Sequence, residues 1–372
     1  MAYLKMTRRH LLKIGPGALA FGVAAPAIRG AQDSSRPRLE YAVLGRTGLK
    51  VTTVSLGCMV APEEVIAKAG DLGINWFDTA HSYKGGRNEA EVGRALKDKR
   101  DRVYISTKLN GAGVDKMLAD LDVSLQRLQS DYVDNLMVHG LSRRAEVLDG
   151  DHLEALERAK KAGKTRFLGF SCHSNMAECM EAVAESGFFD DVVVKFNYTA
   201  DARLLAAVEK AAGAGIGVIA MKTQLGDFPN PGGTLTPHQA ALKWVLDNPN
   251  ITCAVPGTRD FRQLEQNIAV MGQRLAAWER RELERYAAET AALQCTGCGS
   301  CQEACPYGVE VAEVRRCSMY LDGYRDPDLA RENYRELAGN AAPCVDCSDC
   351  VVRCTQGTNL QPMLQQTHLR LA

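Results

Sequence analysis

The 372-residue chain is 46% hydrophobic and 24% charged, and its Lys+Arg and Asp+Glu totals are equal at 45, for a formal net charge of zero. This is the make-up of a globular protein of two or three domains with a large core, and it gives no electrostatic reason to expect nucleic acid or an anionic membrane as a partner. Nine of the 13 cysteines fall from Cys295 to Cys354, eight of them in two regular runs, whereas a secreted disulfide scaffold spreads its cysteines through a short chain.

Residues 7–13 read Thr-Arg-Arg-His-Leu-Leu-Lys, and an apolar Gly- and Ala-rich run follows from Ile14 to about Ile28. The segment resembles a twin-arginine signal, with Arg8 and Arg9 as the pair read by the export machinery. Its apolar run is too short and too weakly hydrophobic for a stable transmembrane span of ~20 residues. Ala25-Pro26-Ala27 has the small-x-small form of a cleavage site, with a boundary near Ala31 as the alternative. Residues 1–36 are therefore expected to be signal and linker, and the protein periplasmic. The competing reading is a retained signal anchor.

From Val54 onward, short β-branched runs alternate with helical stretches, the pattern of a parallel sheet with crossover helices. The predicted strands are Val54–Cys58, Asn75–Thr79, Val103–Thr107, Val133–Val138, Phe167–Ser171, Val192–Phe196, Gly217–Met221 and Cys253–Pro256. Helices are predicted over Glu89–Lys97, Val114–Leu128, His152–Ala162 and Pro237–Asp247. Eight such units in about 250 residues match a (β/α)8 TIM barrel. The segment Tyr41–Val51 reads as a hairpin turning at Arg46–Gly48 and plugging the barrel floor. No Gly-x-Gly-x-x-Gly turn follows the first strand, which argues against an open doubly wound sheet.

Chemistry in such a barrel sits at the C-terminal strand ends. Those ends present Asp78, then Tyr83 in the following loop, Lys108 and His139. A phenol near pKa 10 is a poor acid at neutrality, but an adjacent ammonium favours its phenolate. Asp78 would hold Lys108 charged, Lys108 would lower Tyr83, and His139 would orient a carbonyl oxygen. Tyr83 would then move the proton while hydride moves at carbon.

These residues carry a resemblance to the aldo-keto reductases. Phe77–Tyr83 with Asn88–Leu96 follows the family's signature around its Asp and Tyr, while Ser106-Thr107-Lys108 and Met137-Val138-His139-Gly140 stand where the family has its Lys and His. The hairpin Leu44–Leu49 is also typical, and the likeness runs over residues 39–290, so the barrel domain is placed at 37–290. It implies an extended NADP or NAD bound by Ser171, Cys172, Met221, Gly257, Thr258, Arg259, Gln263 and Asn267. Arg259 would meet a 2′-phosphate, Asn267 the adenine, and Cys172 would face the mouth. The sequence departs from the family at Cys172, in place of asparagine, and at Met221, in place of the aromatic that stacks on nicotinamide. It also lacks the family's glutamine after the sixth strand.

Beyond the barrel, Cys295-x2-Cys298-x2-Cys301-x3-Cys305-Pro306 is a bacterial ferredoxin run, repeated as Cys344-x2-Cys347-x2-Cys350-x3-Cys354. In two-cluster modules the fourth cysteine of each run ligates the other cluster. Cys295, Cys298, Cys301 and Cys354 would thus hold one [4Fe-4S] cluster, and Cys305, Cys344, Cys347 and Cys350 the second. Zinc needs only four ligands, so eight in this double spacing are hard to explain that way. Residues 291–372 are expected to form a helical two-cluster ferredoxin-like domain, with a helix over Leu329–Leu337 and Cys317 as a packing residue. Clusters are assembled in the cytoplasm, and the twin-arginine route carries folded proteins, so the two ends of the chain agree.

The whole reads as an exported oxidoreductase acting on a small carbonyl or alcohol with NAD(P), relaying electrons through two clusters to an external carrier. The alternative is an electron-transfer or binding protein whose barrel has lost turnover.

Overall fold

The computed structural model describes residues 38–226, 237–301 and 304–372; the twin-arginine segment lies outside them. Eight parallel strands form one sheet: β3 (Leu56–Gly57), β4 (Trp76–Asp78), β5 (Tyr104–Asn110), β6 (Val133–Leu141), β7 (Thr165–Cys172), β8 (Asp191–Lys195), β9 (Gly217–Met221) and β10 (Cys253–Ala254). The sheet runs in sequence order, and parallel bridges Val54–Ala254 and Gly57–Gly257 close it into a barrel. Closure demands a glycine at 57, because a Cβ there would stand 2.7 Å from the Val255 carbonyl oxygen.

The strands are short, near-continuous apolar runs because both faces are covered. Val192, Val194, Val218 and Ala220 point to the helix layer, whereas Val193 and Ile219 point into the barrel. Crossover helices start on aspartate caps where the sequence offers one. Asp201 accepts from Leu204 N at 2.8 Å and Asp260 from Gln263 N at 2.7 Å, satisfying amides that have no partner in the first turn.

The hairpin β1 (Tyr41–Val43) and β2 (Lys50–Thr52) plugs the floor. Its Leu44, Leu49 and Val51 are buried with Trp76, Met137, Val193 and Ile219. The Arg46 guanidinium donates to the Gly187 and Phe189 carbonyls at 2.9 and 2.5 Å, pinning the turn. Gly48, at φ 71°, supplies the left-handed residue that ends the turn.

β5 and β6 continue past their predicted ends, so Lys108 and His139 stand within strands rather than after them. Gly140, at φ 75°, interrupts the β6–β7 register there, and its N–H donates to Ser171 Oγ at 3.0 Å.

After helix Ala277–Thr290 the chain builds a second, smaller core from helices Val311–Ser318, Pro327–Arg335 and Leu360–Leu371. Val314, Cys317, Tyr320, Tyr334, Leu364 and Leu371 form its centre, and Met59 from the barrel rim packs against it. Residues 319–323 form one π-helical turn. Residues 37–372 make a single compact unit, so the cysteine-bearing part lies directly on the barrel. Among the described residues no helix is long and apolar enough to cross a membrane.

Candidate active site and cluster sites

The barrel mouth gathers the four residues singled out at the strand ends. Lys108 Nζ donates to Asp78 Oδ2 at 2.6 Å and to the Thr79 carbonyl at 2.7 Å, with the two side chains 1% and 6% exposed. The same ammonium lies 5.1 Å from the centroid of the Tyr83 ring, and that ring meets His139 edge-on at 5.6 Å between centroids. The motif after Tyr83 acts as scaffold. Asn88 accepts from Thr79 Oγ1 at 2.7 Å and donates to the Cys58 carbonyl at 2.9 Å, while buried Glu89 accepts from Thr107 Oγ1 at 2.6 Å.

Burial opposes the charge on Lys108, but Asp78 and Tyr83 outweigh it and hold the ammonium above its ordinary value. Tyr83 departs from the sequence expectation. Burial pushes its phenol up to about 12, and Lys108 offsets only part of that rise. Burial, reinforced by the cations Lys108, Arg316 and Lys222, pushes His139 well below its ordinary 6.5. It therefore faces substrate as a neutral imidazole, able to donate one hydrogen bond.

Asp78, Tyr83 and His139 border a cavity of about 580 Å³, the size of a small-molecule site, with Lys108 buried behind them. The barrel supplies one wall, with Asp78, Tyr83, His139, His173 and Met221; the C-terminal part supplies the other, with Cys305, Val309, Glu310, Arg316, Tyr320 and Tyr324. His173, Lys222, Arg316 and Tyr320 escaped the sequence reading. Counting the period-two alternation of β7 past Ser171 would have found His173, whose Nδ1 has no hydrogen-bond partner among the described residues. Nothing in the sequence announces that Arg316 and Tyr320 roof the barrel.

The cluster cysteines fall around two further cavities. Cys295, Cys298, Cys301 and Cys354 border one of about 20 Å³, and Cys305, Cys344, Cys347 and Cys350 border one of about 130 Å³. The grouping exchanges the fourth cysteine of each run, as two-cluster modules do. None of the 13 cysteines is paired in a disulfide. Partial burial resists ionisation of Cys298, but hydrogen bonds from Ser300 and Thr355 outweigh it and lower the thiol. Arg315 Nη1 stands 3.3 Å from Cys354 Sγ, and that thiol is likewise lowered despite burial, by hydrogen bonds from Gln356 and Thr358. Burial instead pushes Cys301 and Cys344 up to about 11, so it is the four-plus-four donor set that fits two iron-sulfur clusters.

The sequence matches the aldo/keto reductase family over residues 61–228 and a 4Fe-4S dicluster domain over residues 259–310. The chain is an oxidoreductase of aldo-keto reductase type. It is 26% identical to L-galactose dehydrogenase of Arabidopsis thaliana, over 63% of this chain and 88% of that protein. It is also 26% identical to methylglyoxal reductase DkgB of Escherichia coli O157:H7, over 66% and 94%. An aldo-keto reductase of Bacillus halodurans, solved in its holo form, superposes with a TM-score of 0.57 at 23% identity, covering 67% of this chain and 96% of that one, a likeness of fold. The oxidoreductase thus combines a TIM barrel with a 4Fe-4S dicluster region.

A nicotinamide dinucleotide is the typical cofactor of the family. Of the eight residues expected to hold it, only Met221 and Gly257 border the cavity. Cys172 faces away from the mouth, wholly buried in the strand–helix layer with Cys179, because alternation turns it opposite to Ser171. Ser171 Oγ accepts the Gly140 amide. Asn267 donates to Thr258 Oγ1 at 3.2 Å and accepts from Gln224 at 3.0 Å, while Gln263 accepts the Arg259 amide at 2.9 Å. Arg259 itself is paired with Asp326 at 3.1 Å. A Cβ on Gly226 would stand 2.9 Å from the backbone of Gly323. Gly323 and Asp326 thus pack against the segments expected to carry the dinucleotide.

Proposed function

We propose that this aldo-keto reductase is an exported enzyme that interconverts a small carbonyl and its alcohol at the barrel mouth. Two [4Fe-4S] clusters, held by Cys295, Cys298, Cys301 and Cys354 and by Cys305, Cys344, Cys347 and Cys350, would supply or take up the electrons in place of dissociable NAD(P). The observation that carries the reading is Cys305, which borders both the catalytic cavity and the cavity of Cys344, Cys347 and Cys350. Ala312 likewise borders both the catalytic cavity and that of Cys295, Cys298, Cys301 and Cys354. When bound, each cluster exchanges one electron at a time.

The chain's own residues handle the proton. Neutral His139 hydrogen-bonds the carbonyl oxygen. Tyr83 delivers a proton to that oxygen or takes it away, and Lys108, kept charged by Asp78, stabilises the phenolate that remains. The C-terminal wall excludes water, which strengthens each of these interactions. Relatives named for L-galactose and methylglyoxal support a small oxygenated substrate. Export would follow Arg8 and Arg9, with an external carrier taking electrons from the clusters.

Protein purified anaerobically from its native compartment provides the test. About eight irons per chain, as two four-iron clusters require, with no nicotinamide among the released small molecules and no binding of added NADPH, is the expected result. Stoichiometric nicotinamide would sink the proposed electron route. The same iron content with carbonyl turnover unaffected by Tyr83→Phe would leave only an electron-transfer protein. N-terminal sequencing of the mature chain checks export, which predicts a start near residue 28 or 32.

A further inference from the structure

The catalytic cavity contains a second phenol that the mechanism above leaves idle. Tyr320 is 1% exposed, and its hydroxyl lies 2.8 Å from Lys222 Nζ and 3.3 Å from Arg316 Nη1. The ammonium also stands 4.7 Å from the centroid of its ring. The setting is built from both halves of the molecule. Lys222 follows β9 with φ 52°, a left-handed backbone that a lysine adopts only when its surroundings hold it there. Arg316 is fixed by Glu313 at 2.6 Å and Asn333 at 3.1 Å. Tyr320 itself rides on the π-turn Met319–Gly323, a rare geometry concentrated at functional sites. Lys222, Arg316, Tyr320 and Tyr83 all border the one cavity.

The two phenols are driven in opposite directions. Tyr83 rises, whereas Tyr320 is held below its ordinary value because Lys222 and Arg316 outweigh its burial. The neighbouring Tyr324 is pushed up by burial. Two titratable groups split in this way have divided roles in other active sites.

We propose that Tyr320 is a second proton-transfer residue, working at the substrate's carbon while Tyr83 works at its oxygen. The inference rests on the electron route proposed above. A reaction fed by single electrons has no hydride to place on carbon, so the carbon must receive a proton. In the reducing direction, one carbonyl, two electrons from the iron-sulfur centres and two protons give one alcohol. Tyr83 supplies the proton that forms the O–H bond, and Tyr320 the proton that forms the C–H bond. Both phenolates regain their protons from solvent. In the reverse direction, the same two phenolates take the protons and the centres take the electrons. One-electron entry favours carbonyls conjugated to an aromatic ring or a second carbonyl, where an unpaired electron is delocalised.

The test uses holoprotein with chemically reduced clusters, mixed in deuterium oxide with a panel of aromatic aldehydes that includes pyridine-4-carboxaldehyde. The expected alcohol carries one deuterium on its carbinol carbon. Tyr320→Phe and Tyr83→Phe each slow cluster reoxidation by ~10²–10⁴-fold, the usual worth of a positioned acid. A second readout needs no turnover. With 13Cζ-labelled tyrosine, the resonance lost in Tyr320→Phe titrates below the ordinary ~10, and Lys222→Met moves it upward while Lys222→Arg restores it. Two protium atoms and no deuterium at the carbinol carbon, or a Tyr320 resonance that titrates at or above ~10, overturns the inference. Wild-type turnover in Tyr320→Phe alongside its loss in Tyr83→Phe overturns it too and leaves the electron route standing. Reduced clusters that no aldehyde reoxidises bring down the inference and the route together.

Discussion

Replacing Lys108 by methionine removes the ammonium and keeps most of the side-chain volume. It leaves Asp78 Oδ2, previously 2.6 Å from that ammonium, without its partner in a side chain only 6% exposed. Asp78 Oδ1 already has no hydrogen-bond partner among the described residues, and Ser106, which also favours the carboxylate, brings no charge to replace the ammonium. Breaking a buried pair from one side costs ~3–5 kcal/mol because an uncompensated charge remains. At ~2 °C per kcal/mol for a protein of this size, the midpoint of unfolding falls by ~6–10 °C. Asp78→Asn also destabilises, by stranding Lys108. The double variant removes both charges, so it recovers at least ~2 kcal/mol relative to the sum of the singles. Calorimetry on anaerobic, cluster-loaded protein at one scan rate measures all four members of the cycle. Additive single effects, or a Lys108→Met variant as stable as wild type, would refute the view of the pair as a mutually dependent buried unit.

Other predictions concern the clusters, the acid response and the barrel. A Cys305→Ser/Cys347→Ser variant should lose about four irons and keep one cluster, whereas Cys301→Ser/Cys305→Ser should lose both, because the fourth cysteine of each run serves the other cluster. Iron analysis and electron paramagnetic resonance of the reduced proteins decide between this and run-by-run ligation. His139 and His173 are both held well below 6.5, so the unfolded chain binds more protons at these sites below that pH. Their contribution to stability is complete above ~6.5 and declines by up to ~1.4 kcal/mol per histidine per pH unit as acidification proceeds toward the folded-state values. Denaturant titrations at pH 7.5 and 5.5 should therefore show a smaller acid loss for His139→Gln/His173→Gln than for wild type. Gly57→Ala should cost ~1–3 kcal/mol by overpacking the seam against the Val255 carbonyl, measured by the same titration at pH 7.5.

Much of the architecture is written locally. Val114–Leu128 and Gly217–Met221 were delimited to the residue, since each carries its own periodicity and ends at a turn. β5 and β6 run longer than predicted because Lys108, Asn110 and His139 are polar residues at the cavity end of otherwise apolar strands, and polarity reads as loop. Asp78, Tyr83, Lys108 and His139 were legible because a barrel assigns chemistry to strand ends, and the cysteine sets because ligand spacing is short-range. The departures share one origin in tertiary packing. The C-terminal part closes over the mouth, which raises Tyr83 where an isolated Lys–Tyr pair would lower it. The same closure ties Arg259 to Asp326 and brings Arg316 and Tyr320 to the cavity of Asp78 and Tyr83, more than 200 residues earlier in the chain. No local pattern encodes that contact.

The account stands most directly on whether the barrel mouth and the clusters share electrons. Reduced, nicotinamide-free holoprotein is mixed rapidly with a carbonyl substrate, and cluster absorbance is followed alongside alcohol formation. The account predicts two electrons leaving the clusters for each alcohol formed, with both signals suppressed together in Tyr83→Phe. Clusters that stay reduced while added NADPH drives carbonyl reduction would contradict it.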